Sequence, residues 1–358
     1  MKYLPLIALS ALFIGCTTKT PAPTKDPTTP KIALVLGGGG AKGFAHVGVI
    51  EALEAHHIKP DIIIGTSSGA MIGAIYASGK NADELKHIAL MLDERSLMDI
   101  TPSKQGLIEG QKLADYINTQ VNHTPIEKLP IRFMAVATDH KTRQAVGFGS
   151  GDTGQAVRAS ASVPKLFIAP RLKNGNKYSD GGQTALVPAR FAKSLGADIV
   201  ISVDVLAHHK ATKNDTPTTA HIYRNDGEIG ATWGKQNIKI PINLDKLKGK
   251  EPPFDMMINE LSTWIDHIPK QATLSLPDEL TRFGSREHFW GQLEPTARMN
   301  EQDKQASDII IQPDLSAFSV LDSQERLLMI NAGKQATLSQ IHIIKQHIQH
   351  KTPQKPPQ

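Results

Sequence analysis

The chain has 358 residues, of which 40% are hydrophobic, 21% charged and 5% aromatic, with 28 Gly, 23 Pro and one Cys. That is enough polymer for one large domain or two small ones with a real core, and the composition is not collagenous, coiled-coil or disordered overall. A single Cys excludes an intramolecular disulfide and a cysteine-rich zinc site; a net charge of +5 with so few aromatics argues against a nucleic-acid surface built on base stacking.

The first fifteen residues read as a secretory signal peptide. Lys2 supplies a positive start, residues 3–14 are almost wholly apolar, and Gly15-Cys16 closes the run. Twelve apolar residues are too few to span a bilayer as a mature helix. The lone Cys16 after a small residue resembles a bacterial lipobox, although Phe13 stands where Leu is usual. That resemblance implies cleavage before Cys16, its lipidation, and attachment to the cell envelope; Thr17 in place of Asp favours the outer membrane. An ordinary signal peptide with an incidental Cys is the alternative. Residues 17–30 contain ten Thr or Pro out of fourteen. They read as a semi-extended tether reaching roughly 40 Å.

From Lys31 to residue 348 the pattern predicts one α/β domain. Ile32–Leu36 is a continuous apolar run, as a buried parallel strand requires. A helical stretch follows (Ala45, Val49, Ile50, Leu53), then a strand at Asp61–Ile64 and a small-residue helix from Ser68 to Ala77. Helical patterns cover about 82–93 and 110–120, and strands are expected at Phe133–Thr138, Ile199–Val205 and Ile309–Ile311. Strands alternating with helices predict a three-layer sandwich, a mostly parallel sheet with helices on both faces. Asn174-Gly175 predicts a hairpin with a type I′ turn. Residues 206–252, with eight Lys/Arg against five Asp/Glu, read as a polar basic insertion. It is either a solvated loop or a patch that meets anionic headgroups. Residues 253–265 carry apolar side chains at helical spacing, for a core helix or an amphipathic lid. Residues 349–358 are expected to be a disordered tail.

Gly65-Thr66-Ser67-Ser68-Gly69 fits G-x-S-x-G, a weak signal alone. Here it follows an apolar strand and opens a helix, the setting of a nucleophile elbow, and it makes Ser67 the candidate nucleophile. The run Gly37–Gly43 after the first strand cannot be a P-loop, because Phe44-Ala45 stands where Lys-Ser/Thr would be. Gly38-x-Gly40-x-x-Gly43 fits a dinucleotide fingerprint by letter, with Asp61 as the acidic residue, but Asp61 begins a strand. As an oxyanion hole, the glycine amides would point donors at a negative oxygen. Asp180-Gly181-Gly182, just after the hairpin, is either a simple turn or a carboxylate presented to a cleft.

The ordered set Gly38-Gly39-Gly40-Ala41-Lys42-Gly43, G-x-S-x-G and D-G-G resembles the patatin-like phospholipase family. So do His46-Val-Gly48-Val, the run from Ala156 to Pro164, Pro188, and Gly196 to Val203. Ala185 departs from the Asn that relatives often carry there. The resemblance runs from about Lys31 to Leu315, interrupted by the insertion. It implies a Ser–Asp dyad with Ser67 as nucleophile and Asp180 as base. It also implies an oxyanion and substrate site at Gly38, Gly39, Gly40, Lys42 and Ser68, a lipid ester as substrate, and no cofactor.

Other readings stay open. The order Ser67, Asp180, His208/His209 also fits a triad, and His46 is a minor candidate base. Arg158 would meet a lipid phosphate or, more simply, form a salt bridge. The fourteen His show no metal-ligand spacing, so no metal is expected. A dinucleotide-binding protein or a non-catalytic lipoprotein scaffold are the readings from other classes.

Overall fold

The computed structural model describes residues 29–103, 105–164, 166–208, 298–320 and 323–352, and four strands between 220 and 275. Strand β1 (Ile32–Leu36) leads through a 3-10 turn at Gly40–Phe44 into helix α1 (Ala45–Ala55). Then come β2 (Ile62–Thr66), α2 (Ser68–Ala77) and α3 (Ala82–Met91). A small hairpin of β3 (Ile100–Ser103) and β4 (Gly106–Ile108) precedes α4 (Gln111–Gln120). Strands β5 (Arg132–Asp139) and β6 (Ala145–Phe148), helix α5 (Thr153–Ser160), β7 (Tyr178–Asp180), α6 (Ala189–Ser194) and β8 (Ile199–Val203) follow. Strands β9 (Ala220–Asn225), β10 (Glu228–Trp233), β11 (Gln236–Pro241) and β12 (Thr273–Ser275) form an antiparallel sheet of their own. The chain ends with α7 (Glu301–Ala306), β13 (Ile309–Ile311) and α8 (Arg326–Lys351).

The main sheet has the order β13-β8-β1-β2-β5-β6, with β7 also on β5. The first five are parallel, while β6 and β7 run antiparallel to β5. Ala33, Leu34, Val35, Leu36, Ile63, Ile64, Ile199, Val200 and Ile201 are completely buried. Apolar side chains on both faces need cover on both faces, and helices provide it. The right-handed crossovers β1-α1-β2 and β2-α2-β5 lay α1, α2 and α3 on one face, where α8 packs against α1; the return from β5 to β8 puts α6, with α7 against it, on the other.

Register decides where the loops meet. Leu36 lies opposite both Gly65 and Val203, so β1, β2 and β8 end side by side. Thr66 lies opposite Val136 and Asp180 opposite Ala137. Strand β7 therefore takes up the edge of β5 at the point where β2 stops, and the last residues of β2 and β7 come together.

Several sequence expectations need correction. The 171–177 hairpin does not close with a type I′ turn, because Asn174 has a negative φ and only Gly175 is left-handed (81°). The Leu172 N–H donates to Asn176 O and the Gly175 N–H to Leu172 O, which makes a three-residue loop ending in a bulge. Helix α8 continues to Lys351, into the stretch expected to be a tail. Leu206 is buried core and not the start of an insertion. The antiparallel strands β6 and β7 were not foreseen. The expected signal peptide, Cys16 and the 253–265 segment lie outside the described residues.

Candidate active site

The G-x-S-x-G turn is tight because strand and helix nearly touch. A Cβ on Gly65 would stand 2.5 Å from the Ala70 Cα, and one on Gly69 would stand 2.2 Å from the Leu36 carbonyl oxygen. Ser67 sits at the apex with φ 53° and ψ −120°, a conformation that costs a non-glycine residue on the order of 1–3 kcal/mol. Neighbouring groups hold it there. The Ser67 N–H donates to the Ser160 Oγ (2.9 Å), and the Ser160 hydroxyl donates to the Val136 carbonyl (2.6 Å). Thr66 is fixed in turn by its hydroxyl on the Ala185 carbonyl (2.8 Å).

Asp180 ends β7 with its backbone N–H on the Ser162 carbonyl (2.8 Å) and its carbonyl accepting from the Thr138 hydroxyl (2.8 Å). Oδ1 accepts the Gly182 N–H (2.7 Å), whereas the buried Oδ2 has no hydrogen bond of normal geometry. The side chain facing this carboxyl is Ser67, whose hydroxyl favours the ionised form. Burial outweighs it and pushes the Asp180 carboxyl up to about 6. The residues at 67 and 180, 8% and 7% exposed, thus meet just under the surface.

The glycine loop lies over the same point. A Cβ on Gly38 would be 3.3 Å from the Ser67 Cβ. Not every amide in the loop is available, however. The Gly38 N–H donates to Leu186 O (3.0 Å) and the Lys42 N–H to Gly39 O (3.2 Å), so neither is a free oxyanion donor. Gly38 instead brings the loop close to Ser67, and the Lys42 side chain is wholly buried. The N–H groups of Gly39, Gly40 and Ser68 have no hydrogen bond among the described residues. Gly40 holds φ 56°, and a Cβ there would be 2.3 Å from the Val320 carbonyl oxygen. That carbonyl accepts the Ala41 N–H (2.8 Å) and anchors the loop from outside.

His46 is completely buried and donates from Nε2 to the Gly37 carbonyl (2.8 Å). Desolvation lowers its pKa to about 4, so the ring is a neutral peg under the loop, and among the described residues it bonds to no carboxylate. His208 is exposed and its electrostatic neighbour is Asp204, not Asp180; His209 lies outside the described residues. Asp61 accepts the Ile32 N–H (2.8 Å) at the far end of β1, where it cannot reach a ribose held by the glycine loop. Among the described residues Arg158 forms no salt bridge. It donates to the Glu109 carbonyl (2.7 and 3.1 Å) and to Gln111 Oε1 (2.8 Å), tying α5 to the start of α4. Among the described residues no three or more His, Cys, Asp or Glu are grouped to hold a metal ion.

Sequence reasoning noticed the 156–164 run without giving it a task. In the structure Ser160 positions Ser67 through its side chain, and Ser162 positions Asp180 through its carbonyl.

Comparison with known proteins fits this geometry. A family model described as patatin-like phospholipase matches residues 34–193. An NTE family protein of Mycobacterium tuberculosis is 36% identical over 192 residues, 52% of this chain and 53% of the relative. Human patatin-like phospholipase domain-containing protein 6 is 34% identical over 182 residues, 49% of this chain and 13% of its own. Lysophospholipase NTE1 of Coccidioides immitis is 37% identical over 182 residues, 49% of this chain and 11% of its own. The chain thus spans about half the length of the mycobacterial relative and far less of the other two. Among solved structures, VipD from Legionella pneumophila aligns with 91% of this chain and 67% of its own at 14% identity, with a TM-score of 0.48. Over residues 34–193 this chain carries the sequence pattern of the patatin-like phospholipase family.

Proposed function

We propose that this chain is a lipid acyl hydrolase of the phospholipase A or lysophospholipase type, working through a Ser67–Asp180 dyad. The observation that carries this reading is the strained Ser67 facing a buried carboxyl whose Oδ2 is otherwise without a hydrogen bond. The Ser67 Oγ attacks the ester carbonyl carbon while Asp180 takes its proton. The N–H groups of Gly39, Gly40 and Ser68 hold the tetrahedral oxyanion. Collapse expels the alcohol, which takes the proton from Asp180 and leaves an acyl-serine. Asp180 then draws a proton from water, which attacks the acyl carbonyl; as the acyl–Oγ bond breaks, Asp180 returns that proton to the Ser67 Oγ and the fatty acid is freed. A carboxylate is an effective base here because burial raises its pKa toward the working pH.

Labelling with a fluorophosphonate probe tests the nucleophile. Loss of the adduct in Ser67→Ala supports it, and undiminished labelling places the nucleophile elsewhere. Turnover retained by His208→Ala/His209→Ala separates the dyad from a triad, for which a loss on the order of a hundredfold is expected. The chain is further proposed to be anchored to a bacterial envelope membrane, the outer one, through a lipidated Cys16. Incorporation of a clickable fatty acid that survives Cys16→Ala would remove the anchor.

A further inference from the structure

Two surfaces flank the proposed site at the same edge of the sheet. The first is apolar. The large hydrophobic side chains exposed among the described residues are Leu90 (40%), Met91 (71%), Leu327 (50%), Leu328 (53%) and Ile343 (46%). The first four lie at two junctions that Arg326 joins. Its guanidinium donates to the carbonyls of Ala89, Leu90 and Leu92 at the end of α3 (3.2, 3.1 and 2.6 Å) and pairs with Glu94 (2.6 Å). It also lies 5.2 Å over the ring of Phe44, the last residue of the glycine-loop turn. These aliphatic side chains therefore border the loop that covers Ser67.

The second surface is basic. Strand β5 ends at Asp139, two residues past the partner of Asp180, and the turn beyond it exposes Lys141 and Arg143. The hairpin before β7 lies against that turn through the His140 N–H on the Lys177 carbonyl (3.0 Å), and adds Arg171 and Lys173, both exposed. The acidic residue in these two turns, Asp139, is taken up by the N–H groups of Lys141 and Thr142 (2.9 and 2.8 Å). Among the described residues none of the four basic side chains forms an ion pair.

We propose that this edge docks on the surface of an anionic phospholipid bilayer, with Leu90, Met91, Leu327 and Leu328 entering the acyl boundary and Lys141, Arg143, Arg171 and Lys173 meeting the headgroups. The argument is charge complementarity beside an apolar border, placed where an ester would have to leave the bilayer for Ser67. It rests on the acyl-hydrolase reading for its purpose, but its test does not require turnover.

The test is sedimentation with vesicles of phosphatidylcholine alone or mixed with phosphatidylglycerol. The full chain carries Cys16→Ala and Ser67→Ala, so neither an anchor nor hydrolysis contributes. Binding to the mixed vesicles is expected to exceed binding to the neutral ones. Lys141→Gln/Arg143→Gln/Lys173→Gln should lower it on the order of a hundredfold, at roughly tenfold or less per charge. Leu90→Gln/Met91→Gln/Leu327→Gln/Leu328→Gln should lower binding to both. With Ser67 restored, both sets should keep wild-type turnover of a water-soluble short-chain ester and lose turnover of vesicle lipid. Unchanged vesicle binding in either set overturns the proposal, as does a vesicle-free dimer that both sets dissociate. Absent soluble-ester turnover alongside intact, variant-sensitive vesicle binding would instead overturn the acyl-hydrolase reading and leave the docking surface standing.

Discussion

Asp180 carries opposite demands in one carboxyl. Its pKa of about 6 is raised from 3.8 by burial, so the fold favours the protonated form while proposed catalysis needs the ionised one. The stability this group contributes is fully present below its unfolded pKa, near 4, and is lost as pH rises through about 6. Asp180→Asn should therefore abolish turnover yet exceed the wild type in stability by up to roughly 3 kcal/mol at pH 8. In chemical denaturation that gap should close as pH falls toward 4. The wild-type kcat/KM should fall below about pH 6, not near the ordinary carboxylate value. Ser160 makes a second case. Ser160→Ala leaves the Ser67 N–H and the Val136 carbonyl without their shared partner, at a cost of about 1–3 kcal/mol. The relaxed elbow should lower kcat and the fluorophosphonate labelling rate on the order of tenfold or more, with KM little changed; Ser160→Thr should recover part of both. Ser67 and Asp180 were legible as candidates in the sequence because each sits in a short motif whose glycines have a local reason. Ser160 was not, since a hydrogen bond across 93 positions leaves no local pattern. The same blindness assigned Gly38 as a donor, when its N–H is spent on Leu186, 148 residues away.

At the scale of elements, the parallel strands were readable because burial on both faces forces unbroken apolar runs. Ile32–Leu36 and the helix Ser68–Ala77 fall where expected. Strands β6 and β7 escaped because they are short and mixed, and their pairing with β5 is fixed by register alone. Helix α8 escaped for another reason. Its inward face mixes Met329 and Ile330 with Gly333 and Thr337, so small residues interrupt the apolar stripe. Those small residues are what let α8 lie directly on α1. A Cβ at Gly48 would stand 1.8 Å from the Ile330 carbonyl oxygen, and one at Gly333 would stand 2.0 Å from that of Ala45. Backbone cannot yield there as a side-chain tip can. Gly48→Val is expected to cost several kcal/mol, beyond the 1–3 typical of overpacking, and to lower the thermal midpoint sharply. The helices would separate and release the Val320 carbonyl from Ala41, so any folded fraction should label slowly with the probe.

For the whole molecule, the matched stretch 34–193 is smaller than the folding unit. It contains Ser67, Asp180 and the glycine loop, but not β8, β13 or α8. Without β8, β1 would become an edge strand with its hydrogen-bonding groups unpaired. The loop would lose two holds, the Gly37 N–H on Val203 O and the Ala41 N–H on Val320 O. The buried Ile199, Val200, Ile201, Val203, Ile309, Ile311, Met329 and Ile330 would also be missing, along with the surfaces they cover. At about 1.5–3 kcal/mol per side chain, their loss is at least comparable to the roughly 5–15 kcal/mol by which a domain is stable. A fragment of residues 31–196 is therefore expected to aggregate, or to stay soluble without a cooperative unfolding transition, and to give no fluorophosphonate adduct. A fragment that melts cooperatively and labels at the full-length rate would show that the chain from residue 197 onward is dispensable to the site. Adding back a separate chain from residue 197 onward gives the sharper result. Recovery of labelling on mixing would place the missing contribution in the docking of β8 and α8 against β1 and α1, because Ser67 and Asp180 are already present in the first piece.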